Sequence, residues 1–581
     1  MPLKYANLQR SEDGSLRSLD YNDIYFQRGQ GRAESDYVFL EKNNLPVRFK
    51  NTTLPFFSIA ELGFGSGLNF LTTAQLWCNA APKQARLHYI SIEKHPLNPL
   101  DLAALHERWP DFSELSQELR LQYPPLLEGF HRLTLAQGRI CLTLVYGDVA
   151  EMLPQISGLF DCWFLDGFSP EKNPAMWHDT LYTHIAAHTK AGGTLSTFSA
   201  AGAVRRGLAS AGFQVEKTKG YGVKRDMTVA HLPNVSASSK TLPKTAAVIG
   251  AGIAGCAAAH ALAERGIAVT LYDRRPGLAQ EASGNPVGLL YPKLTVDQSP
   301  MGMYHSHAFC HTVNLLRRLQ LSSWKPAGVL RLDLTDEYQT RSQKLMARQQ
   351  PPEDIARHVT KTDFGASALY HETAGYLDPR EFCKKLATHP HIKTVLPSDI
   401  SDLQSLPEDI VVIAQSNASS LWPETAFLPL RPLRGQVTYV RETPASQKLS
   451  LALCHKGYIT PAQEGIHCIG ATFQKEPPGT DDVRVTDHRE NIETLNNHLP
   501  QLGLRQEDVV GGRAAWRATT PDKLPIVGKI NDRLYITTGF GAHGLTGAPV
   551  CAELLASLIL EEPLPIPLDL AARLSPERFK N

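Results

Sequence analysis

Short runs of apolar residues, each closed by glycine, an acid or another polar residue, alternate with stretches of helical period along almost the whole chain. In the N-terminal half these runs are FFSIAELGF, LHYISIEK, ICLTLVYGD, DCWFLDGF and GGTLSTFS. Short continuous apolar runs of this kind predict strands of a doubly wound parallel sheet, with its site at their carboxyl ends. The C-terminal half opens on TAAVIGAGIAGCAAAHALAERGIAVTLYDRR, a compact strand–turn–helix–strand unit. Between the halves, LPNVSASSKTLPKT is rich in Ser, Pro and Thr and has no apolar period, so residues 232–245 are expected to be a linker. The expected domains are therefore residues 1–231 and 246–581, both of the α/β class. The chain shows no internal repeat and no low-complexity tract.

Composition narrows the class without changing this division. A chain of 581 residues exceeds what one core accommodates, and 42% hydrophobic with 20% charged residues is the balance of soluble globular proteins. No window holds eighteen consecutive apolar residues, and the opening MPLKYANLQR lacks an apolar h-region, so neither a membrane span nor a secretory signal is expected. The nine cysteines are scattered without a Cys-x-x-Cys pair or any metal spacing, which reads as reduced thiols in a cytoplasmic protein with no metal site. A net charge of +1 gives no global argument for nucleic acid and leaves a local basic face open.

The first glycine loop, ELGFGSGLNF, follows an apolar strand and leads into a helical run. Gly63, Gly65 and Gly67 let the backbone turn sharply and approach a ligand. With Glu61 two residues ahead, the loop resembles motif I of S-adenosylmethionine (SAM) methyltransferases, which adds Asn69 and Phe70 to the expected cofactor residues. Three more acids end later strands in order. Glu93 is suited to the ribose hydroxyls because a carboxylate offers only acceptors. Asp148 stands where methyltransferases hold the adenine amino group, and Asp166 closes a fourth strand. A single acid at such a place is usually a helix N-cap, whereas three in order after a glycine loop favour a nucleotide site.

The second loop, VIGAGIAG, sets Gly250, Gly252 and Gly255 in the Gly-x-Gly-x-x-Gly spacing between a strand and an Ala-rich helix. The first makes the turn, the second admits a pyrophosphate and the third lets helix and strand pack closely, with the helix N-terminus facing the phosphates. Asp273 ends the next strand about 20 residues on, at the ribose-binding place, with Arg274 beside it. Two further segments favour FAD over NAD. EASGNPVGLLYPK supplies Ser283, Gly284 and Asn285. TTGFGAHGLTGAPV supplies Gly541, His543, Gly544, Leu545 and Thr546 and aims a helix N-terminus at the flavin. Both resemble the D-amino-acid oxidase family of flavoenzymes, and non-covalent FAD is expected.

That resemblance also implies a second, antiparallel-sheet substrate part. The expected FAD part covers about 246–310, 375–430 and 510–581, and the substrate part about 311–374 and 431–509. In GGRAAWRATTPDKLPIVG the family's carboxylate-gripping arginine matches Arg517 through its spacing to Asp522 and Pro525, with Arg513 as a helper. HKGYITPAQEG offers Lys456 and Tyr458, the latter where the family places a tyrosine over the flavin. Arg434, in PLRGQVTYV, is expected to be structural.

Nearly the whole chain resembles the family of bifunctional tRNA 5-methylaminomethyl-2-thiouridine biosynthesis proteins. DYNDIYFQRGQGRAESDYVFLEKNNLPVRF, ELGFGSGLNF, VRRGLASAGFQVEKTKGYGVKRDM and above all FLDGFSPEKNPAMW carry the resemblance. It implies that the flavin half oxidises 5-carboxymethylaminomethyluridine at the tRNA wobble position to the 5-aminomethyl form, releasing glyoxylate, and that the SAM half methylates the amine. Asp166 then orients the amine and accepts its proton, while Phe168 and Trp177 stack on the base. Arg205, Arg206, Lys217, Lys219, Lys224 and Arg225 form a basic stretch for phosphates, of which Lys224 and Arg225 are the expected substrate contacts. The anticodon region of tRNA is the expected partner, for a monomer without a membrane or obligatory protein partner. The competing reading is a small-molecule N-substituted amino-acid oxidase fused to an amine methyltransferase.

Overall fold

Residues 3–10, 16–21, 23–26, 31–168, 170–173, 176–222, 224–234, 241–297, 299–476 and 479–580 are described by a computed structural model. Two units divide the chain: Met1–Leu242 with Glu561–Asp569, and Pro243–Leu560 with Leu570–Asn581. The division falls inside the 232–245 stretch, of which residues 235–240 lie outside the described residues, as do Asn22, Gln27, Arg28, Gly29, Gln30, Ser169, Pro174, Ala175 and Val223 of the quoted motifs. Thr245, expected in the linker, already begins the strand Thr245–Ile249.

In the first unit the apolar runs become an eight-stranded sheet in the order Gln214–Lys219, Asp226–His231, Thr189–Thr197, Phe160–Leu165, Phe56–Leu62, Arg86–Glu93, Ile140–Tyr146, Gly129–Leu135. Five neighbouring strands, from Thr189–Thr197 to Ile140–Tyr146, run parallel, and the three outer pairings, two at one edge and one at the other, are antiparallel. From Phe56–Leu62 the chain moves outward to Arg86–Glu93 and Ile140–Tyr146, then returns to Phe160–Leu165 on the other side. That reversal opens a crevice at the carboxyl ends of the strands, where doubly wound sheets bind ligands. Strand Arg86–Glu93 is buried from Arg86 to Ile92, as a strand covered on both faces must be. The helix Leu68–Ala80 starts at Gly67, whose φ of 74° is left-handed, and ends at an extended Ala81 because Pro82 follows.

The segment Glu561–Asp569 departs from the expected 246–581 domain. Its Glu562 lies 3.3 Å from His88 of the sheet, both buried, and the Pro563 carbonyl accepts a 2.7 Å hydrogen bond from Arg132 Nη2. Leu564 and Ile566 are buried as well. Attachment to a sheet hundreds of residues away leaves no local pattern in the sequence.

The second unit holds a six-stranded sheet in the order Ile392–Val395, Ala268–Tyr272, Thr245–Ile249, Ile410–Ile413, Leu534–Thr538, Ile526–Lys529, parallel except for the last pair. The helix Ile253–Ala263 is almost wholly buried, and it lies so close to the first strand that a Cβ on Gly255 would stand 1.7 Å from the Gly250 carbonyl oxygen. Only glycine fits there. A second eight-stranded sheet, antiparallel save for the pair Val329–Leu332 and Ala452–Cys454, forms the other part of this unit. Its strand Val509–Thr519 pairs along its length with Arg431–Arg441, so residues 510–519, expected in the FAD part, belong to this sheet.

Candidate active sites

In the first unit a cavity of about 480 Å³ opens at the switch point of the sheet, lined by Gly63, Gly65, Asn69, Glu93, Asp148, Asp166 and Phe168 among others. Gly63 has φ of 89°, and its backbone abuts Gly167, so the loop after the first strand meets the loop after the fourth. Glu93 accepts from the Gly65 N–H at 2.9 Å and the His95 N–H at 2.7 Å, which fixes its carboxylate at the cavity wall while burial raises its pKa. Asp148 caps the helix Val149–Met152 by accepting from Ala150 N–H, and it pairs with Lys94 at 2.7 Å. Burial pushes its pKa up, but the Lys94 hydrogen bond and the capped N–H outweigh this and hold it below the usual range. The cap and the cavity wall are thus one residue. Two carboxylates beside a bare glycine loop are an acceptor set of the kind that suits the hydroxyl and amino hydrogens of a nucleoside cofactor such as SAM.

Asp166 and Glu61 are deeper. Asn69 Nδ2 donates to Glu61 Oε1 at 2.9 Å and to Asp166 Oδ2 at 2.7 Å, and the Gly167 N–H donates to Asp166 Oδ1 at 2.9 Å. Burial pushes Asp166 up to about 6 and Glu61 up to about 8, against the hydrogen bonds that favour their charged forms.

Several expected residues do not reach this cavity. Phe70 is fully buried, edge-on to Tyr89 at 5.2 Å, and belongs to the core. Glu61, 1% exposed, sits behind Asn69, and Gly67 serves the helix start. Trp177 is also off the wall. Its Nε1 donates to the Phe168 carbonyl and its ring packs edge-on to Phe198, so it braces the loop rather than offering a stacking face. The face that Phe168 offers is stacked on Tyr21, with centroids 4.5 Å apart and planes at 25°; Tyr21 lines the cavity and was not anticipated. The basic stretch is not a continuous stripe. Lys217 pairs with Asp226 at 2.9 Å, and Lys224, on the cavity wall, pairs with Glu34 at 2.7 Å and lies over the Phe198 ring. The Arg225 side chain, 94% exposed, is outside the cavity. Glu34 and Ser35 lie within the quoted segment DYNDIYFQRGQGRAESDYVFLEKNNLPVRF but were not singled out, because nothing in their local pattern marks them as facing a cavity.

In the second unit a cavity of about 750 Å³ runs from the glycine loop to the second sheet. Gly250, Gly252, Asp273, Arg274, Ser283 and Asn285 line one part of it, and Gly541, His543, Gly544, Leu545 and Thr546 another. Asp273 Oδ2 accepts from the Ala251 N–H at 2.6 Å, and Ser283 Oγ accepts from the Ile253 N–H at 3.0 Å at the start of the buried helix. The helix Gly544–Leu560 also begins on the cavity. Two helix N-termini, and a Gly252 whose added Cβ would meet only Ser283 Oγ at 3.4 Å, fit a dinucleotide such as FAD.

Toward the second sheet stand Tyr458, Lys456 and Arg517. Arg517 is packed over the Phe473 ring at 4.8 Å and donates weakly to the Thr472 carbonyl at 3.5 Å. Gly435 underlies it, since a Cβ there would come within 2.1 Å of Nη1. No carboxylate pairs with Arg517 among the described residues, and burial lowers its pKa. Burial raises the Tyr458 hydroxyl well above its ordinary value, with Cys468 adding to the effect and Arg517 opposing it. His543 is pushed down to about 4 by burial and by Lys293 and Arg517, and its ring meets His305 at 4.8 Å. Lys293, within a quoted motif but not singled out, lines the cavity with its pKa lowered by burial, Lys523 and Arg341.

Arg513, expected as a substrate helper, does not line this cavity. Its Nη2 donates to the Gln280 carbonyl at 2.8 Å and to that of Glu281, and its Nη1 approaches Asn285, so it anchors the 280–285 loop and does not face the cavity. Gly284 packs against that guanidinium and is likewise off the wall. Arg434, fully buried, pairs with Asp487 and donates to the Asp482 carbonyl.

Fold and sites together define a SAM-dependent methyltransferase joined to an FAD-dependent oxidoreductase. Residues 245–558 match the family described as FAD dependent oxidoreductase, and residues 110–233 match S-adenosyl-L-methionine-dependent methyltransferase. The second unit resembles the crystal structure of glycine oxidase from Geobacillus kaustophilus in fold, with a TM-score of 0.50 and 19% identity over 58% of this chain and 98% of that one. Along its whole length the chain is 39% identical to the tRNA 5-methylaminomethyl-2-thiouridine biosynthesis bifunctional protein MnmC of Methylobacillus flagellatus, covering 100% of this chain and 96% of that protein. It is 38% identical to the MnmC of Hahella chejuensis, covering 99% of each. The chain belongs to the MnmC family. Among the described residues no helix is long and apolar enough to cross a membrane.

Proposed function

We propose that this chain completes the 5-methylaminomethyl group of wobble 2-thiouridine in tRNA, the oxidoreductase unit acting first and the methyltransferase unit second. The reading rests on the full-length likeness to proteins named for this biosynthesis. The observation that carries its residue assignment is Arg517, a buried guanidinium on the cavity wall without a carboxylate partner among the described residues. A planar donor fork of this kind suits the carboxylate of a carboxymethylamine. When bound, FAD supplies acceptance of the hydride from the methylene beside nitrogen, and SAM supplies the methyl group. Arg517 holds the substrate carboxylate and, with Tyr458, orients the methylene. Hydrolysis of the resulting substrate imine gives glyoxylate and the 5-aminomethyl group. In the other cavity Asp166 accepts the proton that the amine must lose to attack the methyl carbon. Tyr21 and Phe168 flank this site with aromatic surface suited to an unstacked base.

The small-molecule alternative is not favoured, since relatives matching nearly end to end carry the tRNA biosynthesis name. All nine cysteines are free, which suits a reducing cytoplasm. With both activities in one chain, a monomer suffices. The test is incubation with tRNA bearing 5-carboxymethylaminomethyl-2-thiouridine, with and without SAM, then nucleoside mass spectrometry. Conversion to the aminomethyl form without SAM and to the methylaminomethyl form with it is expected. An unchanged nucleoside from flavin-loaded protein sinks the assignment.

A further inference from the structure

Motif I carries an asparagine whose sequence position suggests a cofactor ligand, yet its amide is engaged inside the protein. Asn69 Nδ2 gives one N–H to Glu61 Oε1 at 2.9 Å and the other to Asp166 Oδ2 at 2.7 Å, while its Oδ1 accepts from Ser35 Oγ at 2.6 Å. An amide has two N–H donors, so none is left for a methyl donor. The opposite amide orientation would turn the oxygen toward two carboxylates and lose both hydrogen bonds to them. Glu61 Oε2 in turn accepts from Ser91 Oγ at 2.7 Å. A continuous line, Ser91–Glu61–Asn69–Asp166, therefore joins the first strand's buried acid to the acid on the cavity wall.

We propose that Asn69 is a positioning residue for methyl transfer: held by Ser35 and Glu61, it fixes Asp166 Oδ2 and keeps that group the carboxylate that takes the amine's proton. This rests on the reading of Asp166 given above. Among the described residues, Lys224, Glu34, Glu61 and Tyr89 are titratable groups that act on Asp166. Lys224 draws its pKa down and Glu34 pushes it up, and these two neutralise each other as an ion pair. Glu61 stands behind Asn69, and the buried Tyr89 hydroxyl lies near both acids. Burial drives Asp166 toward protonation, and the Gly167 and Asn69 N–H groups oppose it. A hydrogen bond donated to the charged form lowers a carboxyl pKa, so loss of the Asn69 donor raises it. The acid limb of methyl transfer must then move to higher pH.

The experiment uses full-length protein, tRNA bearing 5-aminomethyluridine, and SAM, with kcat followed against pH and the SAM Kd measured separately. In Asn69→Ala we expect kcat near neutral pH to fall about tenfold or more. The acid limb should rise by about one pH unit, with the deficit closing in alkali, and the SAM Kd should hold within a factor of about two if no ligand is lost. Ser35→Ala, which only frees the amide, should shift the limb less and in the same direction. A SAM Kd that weakens in step with kcat would make Asn69 a cofactor ligand and overturn the proposal. So would a uniform loss with an unmoved profile. If Asn69→Ala does not fold, an unmoved limb in Ser35→Ala overturns it alone. Asp166→Asn separates the two ideas: activity with the parental profile removes Asp166 as proton acceptor, whereas an inactive Asp166→Asn beside an unmoved Asn69→Ala removes only the Asn69 role.

Discussion

The two cavities bury charge of opposite sign. In the methyltransferase unit the perturbed groups are acids, Glu61 up to about 8 and Asp166 up to about 6, each held by donated hydrogen bonds. In the oxidoreductase unit basic groups are perturbed instead, with Arg517 and Lys293 lowered and His543 pushed down to about 4, beside the raised Tyr458 hydroxyl. The same cause, desolvation, acts in both, and it always disfavours the charged form. The difference teaches what each cavity is prepared for. A buried carboxylate whose proton affinity is raised by desolvation suits an amine that must shed a proton. A desolvated guanidinium suits a substrate that brings its own negative charge.

Charge-removing substitutions in each cavity break this comparison most sharply. Arg517→Met should lower kcat/KM for glyoxylate release by about 100-fold or more, since a charge-assisted pair in a dry site is worth roughly 2–5 kcal/mol. Methylation of tRNA already carrying the aminomethyl group should be unchanged. Asp166→Asn should do the reverse, lowering methyl transfer by about 100-fold or more while glyoxylate release persists. Nucleoside mass spectrometry resolves both, and cross-effects between the activities would show that the cavities are not independent.

A second, moderate effect concerns stability against pH. Glu61 and Asp166 have raised pKa values, so between the unfolded acid range and about 8 the folded methyltransferase unit binds more protons than the unfolded chain. Their contribution weakens as pH rises through that window. His543 and His305, down to about 4 and about 3 from 6.5, do the opposite: the unfolded chain binds more protons, and their contribution is lost as pH falls below 6.5. Calorimetry, with flavin fluorescence marking the oxidoreductase transition, should show that Glu61→Gln flattens the pH dependence of the methyltransferase transition only. A flattening of both would contradict the assignment.

The smallest effect is expected at Arg225. Its side chain is almost fully exposed, so Arg225→Ala should change stability by less than about 0.5 kcal/mol. If it contacts a phosphate, the log–log salt slope of tRNA binding should fall by about one. An unchanged slope confines the substrate role of the basic stretch to other residues.

Much of this was legible in the chain. The apolar runs marked the five parallel strands of the first sheet and the first two strands of the second unit's parallel sheet, because strand burial on two faces demands continuous apolar sequence. The glycine spacings and strand-end acids placed Gly63, Gly65, Glu93, Asp148 and Asp166 on one cavity and Gly250, Gly252 and Asp273 on another, because a tight turn before a helix is a local property. Which side chain of a motif faces the ligand was not legible. Phe70 and Asn69 are neighbours in one helix turn, yet one packs in the core and the other bridges two acids. Arg513 and Arg517 share a strand, yet one anchors a loop and the other lines a cavity.

Sequence alone determined the two nucleotide folds, since these rest on local turn chemistry and strand periodicity, and the resemblance carried by motifs such as FLDGFSPEKNPAMW pointed to the family. Only the tertiary structure decided that Tyr21 meets Phe168, that Glu34 neutralises Lys224, and that Glu561–Asp569 docks with the first sheet. Those are contacts between segments distant in the chain, and their partners are set by packing rather than by any neighbour in sequence.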